Sequence, residues 1–388
     1  MSAAPATATA RTYYPHVEGL RGVAALYVFV FHIWQTAIQH PATATLGAWF
    51  AATPFLQYGH FSVAAFIVVS GFCLGLPVAQ REGKPLNAKR FFLRRARRLM
   101  PAYVPVVLLS AIPFAASAIL LGGHANVPHI AIAIALHLAL IHNLFYATTE
   151  YLNGPLWSIA LECQIYVVFA LLLVPLWRRF GLVAPFVAAV IVGFAPHQFG
   201  WYLDWSVPWL VVLFAMGMIA ADLCARRELP KVPWNVLALV SAAVTVAALT
   251  QYRDGARSDI FAAGYDLLLG LSIALFFVAA HLSERILPAR FLAARPIVFL
   301  GTFSYSLYLI HAPIVDLVGA VLYRIHAGPA LSAAVWAAVI AAVLVAAYGF
   351  YLVFERPFLS AGFRRAIDAD VHREGAPVPL TLAAESAA

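Results

Sequence analysis

"EGLRGVAALYVFVFHIW", residues Glu18 to Trp34, is the stretch whose reading decides how this chain is built. With its flanks it gives an apolar run over 17–38, and about 20 such residues cross a bilayer as a helix. Yet it carries an arginine, Arg21, and a histidine, His32. Even the mildest scale puts an arginine at mid-bilayer about 2.5 kcal/mol uphill. Eleven positions at about 100° each return to within about 20° of the same helix face. Arg21 and His32 therefore share one stripe, about 16 Å apart along the axis. Two readings fit each residue alone. Arg21 suits a snorkelling interfacial group paired with Glu18 at i,i+3, and His32 a ring bonded between helices. Their common face favours a joint function.

The rest of the chain is of the same kind. Of 388 residues, 63% are hydrophobic and 11% charged, against about 25% charged in soluble domains. Apolar runs recur near 17–38, 55–78, 101–122, 157–177, 180–196, 208–225, 233–250, 260–281, 296–320 and 331–354. The expected fold is an all-α, polytopic membrane bundle of about ten transmembrane helices, forming one domain over 13–360. Residues 1–12 and 361–388 are rich in Ala, Pro, Thr and Glu and read as tails, the second cytoplasmic. No internal repeat marks an inverted-repeat transporter. The first apolar run is too long for a signal-peptide core.

The net charge of +8 does not point to nucleic acid, because its largest concentration is "REGKPLNAKRFFLRRARRLMP", Arg81 to Pro101, beside a span. Such a segment marks the cytoplasmic side and suits phosphate. Two spans precede it, so the N-terminus falls on the same side. Four later basic clusters follow: Arg178/Arg179, Arg226/Arg227/Lys231, Arg285/Arg290/Arg295 and Arg364/Arg365. All four join that side only if "HIAIAIALHLALIHNLFY", His129 to Tyr146, does not cross. That segment is expected to be a partly inserted or outer-surface helix, with both termini cytoplasmic. Cys73, Cys163 and Cys224 lie in or at the end of apolar runs. They suggest neither a disulfide framework nor a metal site.

Two further spans carry polar groups. In "NGPLWSIALECQIYVVF", Asn153 to Phe169, Ser158 and Glu162 are i,i+4 on one face. "GTFSYSLYLIHAPIVD", Gly301 to Asp316, bears Ser304, Tyr305, Ser306, Tyr308 and His311, with Pro313 expected to kink it. Each of these also suits a structural role, Glu162 in a salt pair and the hydroxyls in interhelical bonds. In the ten-span topology His32, Glu162 and His311 reach similar depth in the outer half. His311 and Asp316 also show a His-x4-Asp spacing, read here as coincidence.

These motifs carry a resemblance. The chain is similar to the membrane-bound acyltransferase 3 family, which includes bacterial O-acyltransferases of surface polysaccharides and related glycosides. Arg21 and His32 resemble its Arg-x10-His helix, and "VVSGFCL" its Ser-Gly-Phe stretch. Arg95 and Arg98, before Pro101 and Tyr103, resemble its Arg-x-x-Arg pair. Trp157, Ser158, Glu162 and Tyr166 resemble its Pro-Leu-Trp-Ser helix, "SYSLYLIHAPI" its late Ser-Tyr helix, and "FERP" its closing motif. Leu161 stands where the family often has a second acid, leaving Glu162 alone.

The resemblance implies an acyltransferase in the bacterial inner membrane. It would take acetyl or another acyl group from cytoplasmic acyl-CoA, with no bound cofactor and no metal, to a hydroxyl of a cell-envelope glycan, lipid-linked sugar or small glycoside. Arg21, Arg95 and Arg98 are candidates for the donor's phosphates, since guanidinium forks bind phosphate bidentately. His32 is suited to take the acceptor's proton, with Glu162 orienting it and His311 placing the acceptor. Ser158 is the candidate for an acyl-enzyme route. The rival reading is a transporter or flippase of a sugar or lipid-linked intermediate, which also needs buried charges.

Overall fold

The computed structural model describes residues 14–39, 53–81, 86–198, 203–226, 228–252, 260–283, 286–360 and 364. The two expected tails, apart from Arg364, lie outside the described residues, as do Lys84, Arg227, Arg285 and Arg365. Every regular element among the described residues is helical. The main helices are α1 (Pro15–Gln39), α2 (Phe61–Gln80), α3 (Ala88–Leu120), α4 (Val127–Leu138), α5 (Trp157–Val168) and α6 (Val174–Phe180). They continue with α7 (Val183–Gln198), α8 (Leu210–Ala225), α9 (Trp234–Leu249), α10 (Ile260–Leu282), α11 (Arg295–Thr302), α12 (Ser304–Arg324) and α13 (Pro329–Phe350). A π-helical turn, Phe169–Leu173, joins α5 to α6 without a break.

Among the described residues, eight helical stretches are long and apolar enough to cross a membrane. The expected spans near 180–196 and 233–250 form α7 and α9, of 16 residues each. Such a helix is about 24 Å long, short of a core of about 30 Å. Packing gives the direction in which they run. Gly71 meets Phe214 and Gly75 meets Met218, so α2 and α8 are parallel. Trp209 bonds Asp266 at 2.8 Å and Gly270 packs on Leu213, so α8 and α10 are parallel. The helix between two parallel helices must carry the chain back. For α9 the return is visible: Ser241 bonds Ser272 and Thr245 bonds the Leu268 carbonyl, an antiparallel pairing with α10.

The same reading orders the other passes. Tyr14 packs on Phe72 and Phe31 on His60, so α1 opposes α2. Gly22 abuts Gly301 and His32 meets His311, so α1 runs with α11 and α12. Phe91 packs on Tyr166 while Ser110 bonds Asn153, so α3 opposes α5. Helices α1, α3, α7, α9 and α12 thus leave the end bearing the arginine cluster, and α2, α5–α6, α8, α10 and α13 return to it.

The basic segment between the second and third apolar runs is largely helix. Asn87 caps α3 by accepting from the Arg90 amide at 2.9 Å, so the helix begins at Ala88. Helical phase then sorts the charges. Lys89, Arg90, Arg94 and Arg97 are exposed, while Arg95 and Arg98, one turn apart, lean into the protein.

The segment 129–146 does not cross. Helix α4 has 12 residues and descends beside α3, where Tyr103 donates to the His137 carbonyl at 2.9 Å. The chain then turns at Leu140, with a left-handed φ of 58°, and Gln164 of α5 holds the Leu140 carbonyl at 3.0 Å. It climbs through short helical turns to Leu152, φ 70°, before α5 begins. Irregular backbone at membrane depth survives only when protein satisfies it. Here Asn143, Thr148, Thr149 and Asn153 are buried and hydrogen-bonded within that segment or to α3, α5 and α12.

Two histidines lock this re-entrant segment. The rings of His137 and His142 stack at 3.6 Å between centroids, 9° apart in plane, and both are fully buried. Burial, above all, pushes His137 down to about 4 and His142 down to about 3, His142 also feeling its neighbour's charge. An unfolded histidine titrates near about 6.5. As pH falls, the opened segment takes up protons first, so its closed form is fully stable above about 6.5 and loses stability progressively towards about 4. Amide exchange over 137–156 should therefore accelerate between pH 7 and pH 5, and His142→Gln should flatten the response. Equal protection at the two pH values, after correction for intrinsic exchange, would count against this.

Candidate active site

Polar groups inside the bundle gather at two levels. The first lies near the arginine end. Arg21 pairs with Glu18 at 3.0 Å, the i,i+3 contact expected from sequence. The carboxylates of Glu355 and Glu162 also lie within electrostatic reach of Arg21, as does the Cys73 thiol. Arg98 feels both Arg21 and Arg95, so three cations share one region. Arg95 stands 5.8 Å from the centre of the Tyr166 ring, a cation–π distance. Its Nε is buried without a hydrogen-bond partner. Tyr166 donates to Glu162 at 2.6 Å and contacts the Ser70 hydroxyl at 3.3 Å.

Glu355 completes this level. It is 2% exposed and accepts a 2.7 Å hydrogen bond from Ser306. A buried carboxylate needs a cation or donors, and Arg21 and Arg98 both act on it. The sequence offered it only as part of "FERP". Its place follows from the π-helical turn Tyr351–Glu355, which ends α13 beside α3 and within reach of Ser306 on α12.

The second level lies about eleven residues further along α1. His32 is half-buried and His311 fully buried. The Nε2 of His311 stands 3.1 Å from the Nδ1 of His32, with ring centroids 5.0 Å apart. Phe29 packs edge-on against His311 at 5.9 Å and Tyr308 lies 5.7 Å from it. The Tyr308 hydroxyl meets the Ser158 hydroxyl at 2.6 Å, and both contact the Pro155 carbonyl at 3.0 Å. Two hydroxyl protons serve three contacts, so one hydroxyl donates to the other and the second to the carbonyl.

Asn153 sets the position of this triangle. Pro313 lies inside α12 and has no N–H for the Leu309 carbonyl. The Asn153 amide supplies the missing donor at 3.0 Å and bonds Ser110 at 3.2 Å. The turn before α5, and with it Ser158, is thereby tied to α3 and α12.

The expected residues thus fall into two groups. His32, His311 and, through Tyr308, Ser158 meet at one level, and Arg21, Arg95, Arg98 and Glu162 at the other. At the Nδ1 of His32 the orienting contact expected from Glu162 comes from His311, while Glu162 holds Tyr166. Among the described residues no group of three or more His, Cys, Asp or Glu side chains forms a metal site.

Comparison with known proteins shows what the chain as a whole is similar to. A family model described as an acyltransferase domain matches residues 14–352. The chain is 25% identical to the peptidoglycan O-acetyltransferase OatA of Listeria monocytogenes, over 92% of this chain and 57% of the relative. It is 23% identical to the O-acetyltransferase OatA of Staphylococcus aureus, over 78% of this chain and 51% of the relative. The chain spans about half the length of these curated relatives. No solved structure matches.

Proposed function

The chain belongs to the acyltransferase 3 family, and from that premise we propose that it is a membrane O-acetyltransferase acting on a cell-wall glycan. The donor is acyl-CoA, approaching from the arginine end, which faces the cytoplasm. The acceptor is a glycan hydroxyl reached from the opposite side, and the relatives named for peptidoglycan and for O-acetylation support that class.

One observation carries the reading. Three arginines and a pair of imidazoles stand at two levels of the same apolar bundle, joined by a single face of α1. The unpartnered Arg95 Nε and its clustered cations suit an anionic, phosphate-bearing ligand. The positive excess of α3's first turns agrees with a cytoplasmic face. About 16 Å along α1, His32 stands where the acyl group of an extended donor would arrive. The imidazole accepts the hydroxyl proton as the oxygen attacks the thioester carbon. The C–O bond forms, the C–S bond breaks, and the departing thiolate recovers the proton.

The test uses the full chain in proteoliposomes with acetyl-labelled acetyl-CoA and muropeptides. The expected result is alkali-labile label on the glycan, dependent on the protein. Labelled donor left intact, or glycan moved across the bilayer without label, would favour the flippase reading instead.

A further inference from the structure

The contact between the two imidazoles fixes more than their position. The Nδ1 of His311 lies 3.1 Å from the Leu307 carbonyl, and that of His32 lies 2.9 Å from the Val28 carbonyl. A carbonyl oxygen only accepts, so each Nδ1 carries the hydrogen. In the neutral ring the other nitrogen then holds a lone pair. The Nε2 of His311, 3.1 Å from His32, is therefore an acceptor, and the Nδ1–H of His32 is shared between Val28 and His311. The two hydrogen bonds act in one direction, and both force the basic lone pair of His32 onto Nε2.

We propose that His311 is a positioning residue that sets the tautomer of His32 and shares its positive charge during acyl transfer. This rests on His32 being the base, as argued above. When the acceptor hydroxyl gives its proton to the Nε2 of His32, the ring becomes an imidazolium. Its Nδ1–H then points at a neutral nitrogen of His311. Movement of that one hydrogen passes the charge to His311, whose Nδ1–H still rests on the Leu307 carbonyl. No proton is lost or gained in the relay. When the thiolate leaves, the relayed hydrogen returns from the Nε2 of His311 to the Nδ1 of His32, the proton on the Nε2 of His32 goes to sulfur, and both rings regain their starting forms. A second imidazole spreads the charge in an apolar interior, where an isolated cation is costly.

Helix geometry builds the pair. Leu307 and His311 are i,i+4 on α12, as Val28 and His32 are on α1, so each ring folds back on its own helix. The close approach of α1 and α11 at Gly22 and Gly301 brings the two rings into register. Glu162, on α5, is taken by Tyr166.

The test compares His311→Ala, His311→Gln and His32→Ala in the full chain, reading kcat, KM for acetyl-CoA and equilibrium donor binding. For His311→Ala we expect kcat to fall by about 10²-fold or more, with KM and donor binding unchanged. In H311Q the introduced amide oxygen can accept from the Nδ1–H of His32 but cannot carry the charge, so this variant should recover part of kcat. Wild-type kcat in H311A would overturn the proposal. So would equal loss in H311A and H311Q with donor binding intact, or loss of donor binding in step with kcat, which marks a packing role. Wild-type activity in H32A overturns the reading beneath the proposal. An inactive H32A beside a fully active H311A overturns the proposal alone.

Discussion

His32→Ala should lower acyl transfer by about 10²- to 10⁴-fold, the usual worth of a positioned general base. A hydroxyl at neutral pH is a poor nucleophile without a base, and no other imidazole on α1 stands at this level. The fold should survive. His32 is only half-buried, and its neighbours Phe31 and Ile33 remain in the core. The expected picture is a variant that expresses, inserts and binds labelled acetyl-CoA through the arginine level, yet transfers no acetyl group. Turnover at wild-type rate would remove His32 from the chemistry. Transfer to the protein without transfer to glycan would point to an acyl-enzyme and would turn attention to Ser158.

Gly301→Leu should strongly destabilise the bundle. A Cβ at Gly301 would press into the Glu18 carbonyl, and one at Gly22 would stand 2.6 Å from the Gly301 amide nitrogen and 2.8 Å from the Ile297 carbonyl. These are backbone atoms of packed helices and have no rotamer into which to retreat. Overpacking a tight site costs roughly 1–3 kcal/mol, and here the clash is with main chain, so the upper end or beyond is expected. The same crossing sets the imidazole pair, so surviving molecules should also transfer acyl groups poorly. Gly264→Ala is the control, since nothing lies within 4 Å of a Cβ there. Detergent-solubilised melting curves decide the matter. An unshifted G301L curve beside an unshifted control would show that the crossing is not the close contact described.

Much of the plan was legible before any coordinates. Apolar runs placed the helices, and the reading of 129–146 as a segment that does not cross agrees with its 12-residue helix. The eleven-residue step in α1 put Arg21 and His32 on one face because helical periodicity is local. Glu18 was legible as the partner of Arg21 for the same reason. Helix α7 was the shortest span expected from the sequence and, like α8 and α9, has 16 residues.

Other features were decided only by tertiary structure. The sequence treated His32, Glu162 and His311 as three groups at one depth. The fold joins the two histidines and turns Glu162 towards Tyr166 and the arginines. It also carries Glu355 into the Arg21 region and uses Asn153 to satisfy the carbonyl that Pro313 leaves open. The physical reason is the solvent. In lipid both the packed and the exposed faces of a helix are apolar, so the hydrophobic pattern that reports a core in water says little about which faces meet. That choice falls to backbone approach at small residues, Gly22 on Gly301 and Gly71 on Phe214. The chain therefore encodes its spans residue by residue, whereas its reactive pairs exist only once those helices have docked.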